Sequence, residues 1–179
     1  MSKEQIAKSL EEAFSQHGFA EPSVAKLKTA CNVSLRTLYK YYPSKEAMIA
    51  GALEHRHHRY LHFLSEGLPE DKNKSIPHIF ARLEIWMMNY APNGCMSMNA
   101  ISAFPDNPLV NQAVKTHKTE IRRFLGTQSE REDLATALYL LHEGVSSAWP
   151  VLGGDVVKSA EKAALCLLSE QPPLTTTIK

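Results

Sequence analysis

Cysteine is scarce and badly placed for pairing: Cys31, Cys95 and Cys166 are odd in number, far apart and free of any Cys-x-x-Cys spacing. That excludes a disulfide scaffold and a zinc ribbon and points to a reducing compartment, so the chain is expected in the cytoplasm. Long apolar runs are missing too. The longest, around Ala163 to Leu168, falls far short of the roughly 20 residues that cross a bilayer, and no membrane partner is expected. The opening Met1-Ser2-Lys3-Glu4-Gln5 leads straight into an amphipathic pattern, so no signal peptide is expected. No stretch alternates at period two between hairpin turns, which argues against a sheet. There is no Gly-x-Ser-x-Gly, no His-Glu-x-x-His and no phosphate-binding glycine loop. Glu54 and His57 form a single Glu-x-x-His, where a di-iron bundle needs two and further glutamates. The expectation is no enzyme and no cofactor.

What is present is helical periodicity. Ile6, Leu10, Ala13 and Phe14 share one face of a helix that Gly18 can end. Ile76, Ile79, Phe80, Leu83, Trp86, Met87 and Tyr90 form a cleaner stripe, with Ser75 expected as N-cap and Pro77 in the first turn. Leu134, Ala137, Leu138, Leu141, Val145 and Ala148 form another, which Pro150 is expected to close. Breaks at Glu21-Pro22, Tyr42-Pro43, Pro69 to Lys74, Ala91 to Gly94, Pro105 to Pro108, Gly126 to Ser129 and Pro150 to Gly154 leave about nine helices. The fold class is all-α. Residues 171–179, with two prolines and three threonines, read as a frayed tail.

The near-neutral charge hides an asymmetry. Residues 22–62 carry seven lysines and arginines against Glu46 and Glu54, whereas residues 63–179 carry 11 basic and 13 acidic groups. A basic N-terminal third on a near-neutral body suits a polyanionic partner. Within it Ser23 can cap a two-turn helix from Val24 to Cys31, and Asn32 stands where a tight turn needs a left-handed residue. Ser34 can cap a second short helix, Leu35 to Tyr42, stopped by Pro43. Val24, Leu27, Val33, Leu38 and Tyr42 would be its small core. The pattern describes a helix-turn-helix, or else an ordinary corner of two helices with a solvated basic face. The second helix would expose Leu35, Arg36, Thr37, Tyr39, Lys40 and Tyr41: donors, phosphate-reaching hydroxyls and one apolar group that could read a methyl, without one acid.

These residues resemble a family. Gly18-Phe19, Ser23-Val24-Ala25-Lys26-Leu27, and the run from Cys31 to Met48, with Val33-Ser34, Thr37-Leu38-Tyr39 and Ser44-Lys45-Glu46, are similar to the DNA-binding region of TetR-family repressors. The resemblance covers about the first 65 residues. Asn32 departs from the family's usual glycine and Arg36 from a usual small residue. Gly94-Cys95-Met96-Ser97-Met98-Asn99-Ala100 is similar to a segment of some of the family's ligand-binding domains.

The resemblance implies a helix-turn-helix domain at residues 1–47 and a helical effector-binding and dimerisation domain at 48–170, joined through a fourth helix at about Ser44 to Glu66. It implies a transcriptional regulator, usually a repressor, bound as a homodimer to an inverted-repeat operator in duplex DNA and released by a small molecule. Leu35, Arg36, Thr37 and Lys40 are then expected to read bases, and Ser23, Tyr39, Tyr41 and Lys45 to hold phosphates. The small residues Gly144, Ala148, Ala160 and Ala164, with Leu141, are candidates for the dimer interface, since they let helices approach closely. Trp86, Tyr90, Met98, Phe104 and Trp149 are candidates for a pocket taking a largely apolar or aromatic effector. His55, His57, His58 and His62 crowd the fourth helix, but His58 and His62 make only half a tetrahedral site, so no metal is expected. Cys95, after Gly94, is expected as a small core residue rather than a redox sensor. The rival to a regulator is a helical ligand- or metal-binding module, or an enzyme, whose basic region is incidental.

Overall fold

The helices expected from apolar spacing are present in the computed structural model, which describes residues 1–170. The expected frayed tail, 171–179, lies outside the described residues. Among the latter there are nine α-helices, two single 3-10 turns and no strand. They are α1 (Lys3–His17), α2 (Val24–Ala30), α3 (Leu35–Tyr41), α4 (Lys45–Ser65), α5 (Ser75–Tyr90), α6 (Met96–Ala103), α7 (Pro108–Ser129), α8 (Ala135–Leu152) and α9 (Gly154–Ser169).

The chain forms two compact units, one of residues 1–62 and 95–118, the other of residues 63–94 and 119 onward. The first takes in α1, α2, α3, α6, most of α4 and the first half of α7. α1 begins with a reciprocal capping box: the Ser2 hydroxyl accepts from the Gln5 backbone N–H at 3.2 Å, and the Gln5 side chain accepts from the Ser2 N–H at 2.7 Å. Its apolar stripe, Ile6, Leu10 and Phe14, is buried with Leu27, Leu38, Met48, Ile49 and Leu53. Met96, Ala100, Val110 and Val114 belong to the same cluster, so α6 and the start of α7 share the core of the helix-turn-helix. Each fully buried Leu or Ile there contributes about 1.5–3 kcal/mol.

In the second unit α9 packs on α8 and α5, and Ile76, Ile79, Phe80, Leu83, Leu125, Leu138, Val145 and Ala164 are buried. Three boundaries differ from sequence expectation. Ser75 is not an N-cap but the first residue of α5: a 3-10 turn over Lys72–Lys74, capped by Asp71, runs directly into the helix, and the Ser75 N–H bonds to the Lys72 carbonyl. Pro150 does not close α8, which runs on to Leu152. Proline costs a helix the bond to the carbonyl four residues back, here that of Ser146, and Gly94 (φ +89°) comes so close that an added Cβ would stand 3.2 Å from that carbonyl. Gly126 lies inside α7, where an added Cβ would meet the Ala135 side chain at 2.8 Å. Close approach, not a break, is the reason for glycine there.

Candidate nucleic-acid interface

The two short helices are fixed by their caps. The Ser23 hydroxyl accepts from the Lys26 N–H at 3.3 Å and opens α2. Asn32 then takes φ 50°, the left-handed turn conformation. The Ser34 hydroxyl accepts from the Thr37 N–H at 3.0 Å and opens α3, and lies 2.9 Å from the Thr37 hydroxyl. Leu27 and Leu38 are fully buried, Tyr42 is buried, and Val24 and Val33 pack at the edge. The Tyr42 hydroxyl donates to the Lys3 carbonyl at 3.4 Å.

With one side of α3 pinned, the other side is presented outward. Leu35, Arg36, Tyr39 and Lys40 are exposed, while Thr37 and Tyr41 are half-buried. The Lys40 ammonium lies 5.6 Å from the centre of the Tyr41 ring. Neither Arg36 nor Lys40 makes an ion pair with a described residue. An unneutralised cationic face one helix wide suits a phosphate-lined groove. Of the expected phosphate holders, Ser23 is exposed but already caps α2, whereas Lys45 is half-buried and donates to the Ala20 carbonyl at 2.9 Å.

Between α1 and α4 lies a cluster that sequence reasoning missed. Glu11 is 4% exposed. Its Oε2 lies 2.6 Å from His55 Nδ1, and its Oε1 accepts from Arg56 Nη1 at 3.1 Å and Arg59 Nη2 at 2.9 Å. α1 is thereby tied to α4. Burial pulls the Arg56 pKa down, and the Glu11 charge opposes that shift. The signal was available, since Glu11 falls on the same helical face as Ala7 and Phe14.

The expected histidine cluster also finds acid partners. Glu54 pairs with His58 at 3.0 Å and accepts from His117 Nε2 at 2.8 Å. That hydrogen bond, foremost, holds the Glu54 carboxyl below its ordinary pKa. The buried His57 and His117 rings stack at 4.2 Å and 10°. Among the described residues no group of three or more His, Cys, Asp or Glu is arranged to hold a metal. Cys95 is half-buried at the N-cap of α6, and Lys118 donates to its sulfur at 3.2 Å. Burial pushes the Cys31 thiol up to about 11.

Of the expected effector residues, Trp86, Tyr90 and Trp149 belong to the second unit and Met98 and Phe104 to the first. Trp86 is buried, its ring 4.8 Å from that of Tyr90 and 5.5 Å from that of Phe63. Arg82 stacks on Phe63 at 3.7 Å. Met98 is exposed, and Phe104 and Trp149 are half-buried. Of the expected interface residues, Gly144 is exposed, with open space where a Cβ would stand, and Leu141 and Ala148 are half-buried. Ala160 and Ala164 are buried within the single chain, where their small side chains serve the packing of α9 inside its own unit. The outward apolar residues of α8 and α9 are instead Leu140, Val151, Leu152 and Leu165.

Residues 2–52 match the family model of the bacterial regulatory proteins of the tetR family. No curated protein sequence matches the chain with significance. Among solved structures, a TetR-family transcriptional regulator of Streptomyces coelicolor is similar at TM-score 0.79 and 16% identity, covering 93% of this chain and 95% of its own. NemR of E. coli in its reduced form is similar at TM-score 0.77 and 18% identity, with 90% and 95% covered. A TetR regulator of Chloroflexus aurantiacus reaches 0.74 at 16% identity, with 94% of each chain covered. At such identities the likeness is one of fold. No described helix is long and apolar enough to cross a membrane.

Proposed function

We propose that this chain, whose residues 2–52 match the model of the tetR family of bacterial regulatory proteins and whose fold is similar to that of such regulators, represses transcription as a homodimer on an inverted-repeat operator. The observation that carries this is the outward face of α3, with Arg36 and Lys40 unneutralised and the apolar Leu35 beside them. Arg36 and Lys40 read base edges; Leu35 and Thr37 contact thymine methyls or sugar. Ser23, Tyr39, Tyr41 and Lys45 hold phosphates, which position the protein without specifying sequence. The protein acts by binding and not by catalysis, in the cytoplasm.

A largely apolar or aromatic small molecule releases the repressor. The rings of Trp86 and Tyr90, with Phe63 against both, support that chemistry in the second unit. Dimerisation uses α8 and α9 through Leu141, Gly144 and Ala148, supported by the outward Leu140 and Leu165. Selection of bound duplexes from random DNA tests the proposal and should return an inverted repeat. Recovery of unrelated sequences would refute it. Once screening of aromatic metabolites yields an effector, Trp86→Ala should weaken the response and leave DNA affinity without ligand within about tenfold. An unchanged response would place the pocket elsewhere.

A further inference from the structure

Phe104, expected to meet an effector, stands beside a lysine expected to meet DNA. The Lys45 ammonium lies 5.8 Å from the centre of the Phe104 ring, inside the range of about 6 Å over which an aromatic face attracts a cation. The same ammonium donates to the Ala20 carbonyl at 2.9 Å. Three segments of the first unit therefore meet at one cation: the connection from α1 to α2 through Ala20, the first residue of α4, and the C-terminal end of α6 through Phe104. Phe104 is itself held. With Ile101 it packs against the core cluster to which α6 and α7 contribute Met96, Ala100, Val110 and Val114. Desolvation of the lysine in this corner lowers its pKa, with the Glu46 charge opposing.

A lysine is a compact charge on a long, flexible stem, and immobilising that stem is part of the cost of any contact it makes. A stem already fixed before DNA arrives avoids that cost. An ammonium has three N–H donors. The Ala20 carbonyl takes one and the ring covers another side, which leaves donor capacity for a phosphate oxygen. We infer that Phe104 is a positioning residue for DNA binding, its ring and the Ala20 carbonyl holding the Lys45 ammonium in place for a backbone phosphate. This rests on the DNA-binding function proposed above.

The test is the salt dependence of binding to a labelled duplex of random sequence, with the full chain as wild type, Lys45→Ala, Phe104→Leu, Phe104→Tyr and the Lys45→Ala/Phe104→Leu double variant. One phosphate contact contributes about 0.9 to the slope of log K against log salt. Lys45→Ala should flatten the slope by about that much. Phe104→Leu, which keeps apolar packing but removes the ring face, should flatten it in the same sense, and the double variant no further than Lys45→Ala alone. Phe104→Tyr should restore the slope that the leucine variant loses. A wild-type slope in Phe104→Leu, or losses that add in the double variant, would overturn the inference and leave Phe104 a packing residue. If Phe104→Leu does not fold, proton NMR of the wild type decides the matter, with Lys45 assigned through Lys45→Arg. Ring-current-shifted Lys45 methylene resonances support the contact, and ordinary positions overturn it. Wild-type binding with no salt dependence would overturn the DNA-binding function and this inference together, and is told apart because the wild type itself fails.

Discussion

Arg36 and Lys45 are both cationic, yet they stand in different surroundings, and the proposed function gives them different work. Arg36 stands exposed on α3, where a planar fork can address two acceptors on one base. Arg36→Ala should cost about 1–3 kcal/mol and relax preference at one operator position, read by repeating the selection with the variant. Lys45→Ala should weaken all sequences alike. If the preferences changed in Lys45→Ala and held in Arg36→Ala, the two roles would be reversed. At Glu54 the hydrogen bond from His117 lowers the carboxyl pKa, so the folded state favours the ionised form. The stability this adds is complete above the ordinary carboxylate pKa of 4.5 and is lost as pH falls through the lowered value. Glu54→Gln should flatten that acid limb in thermal melts recorded across pH. An identical pH profile in the variant would mean that the pair contributes nothing. The Cys31 thiol, buried and pushed up to about 11, should resist alkylation at pH 8 until the chain unfolds, whereas the exposed Cys166 reacts at once.

At the scale of helices, caps and spacing made the N-terminal region legible. Ser23, Asn32 and Ser34 each have a local job that their chemistry announces: two hydroxyls capping, one asparagine turning left-handed. Local signals were weaker guides at Ser75, Gly126 and Pro150, because partners distant in sequence or an adjoining turn decide those positions. A 3-10 turn precedes Ser75, the start of α8 crowds Gly126, and a Cβ on Gly94 would crowd the Ser146 carbonyl, to which Pro150 has no N–H to donate. Gly51 belongs to the same class. A Cβ there would overlap the buried Tyr42 ring. Gly51→Ala should therefore destabilise the first unit by about 1–3 kcal/mol of overpacking, against a gain of up to about 1 kcal/mol in helix propensity. Denaturant unfolding measures the net loss, and a more stable variant would show that Tyr42 yields without strain.

For the molecule as a whole, the all-α class and the helix-turn-helix were readable from periodicity and punctuation. The shared core of that motif with α6 and the start of α7 was not. Nor were the ties of Glu11 to Arg56 and Arg59 or of Glu54 to His117, which join residues 45 to 63 positions apart. Pairings of that range leave no periodic trace in a single sequence. Spacing also could not show that Ala160 and Ala164 are buried within the chain itself. The central claim is that a dimer of this chain lays two α3 helices on duplex DNA. Quantitative binding to the selected duplex across a salt series tests it most directly. The expected result is an inverted repeat with half-sites about one helical turn apart and a steep linear fall of log K with log salt. An affinity indifferent to salt, or equal for the repeat and for a single half-site, would contradict it.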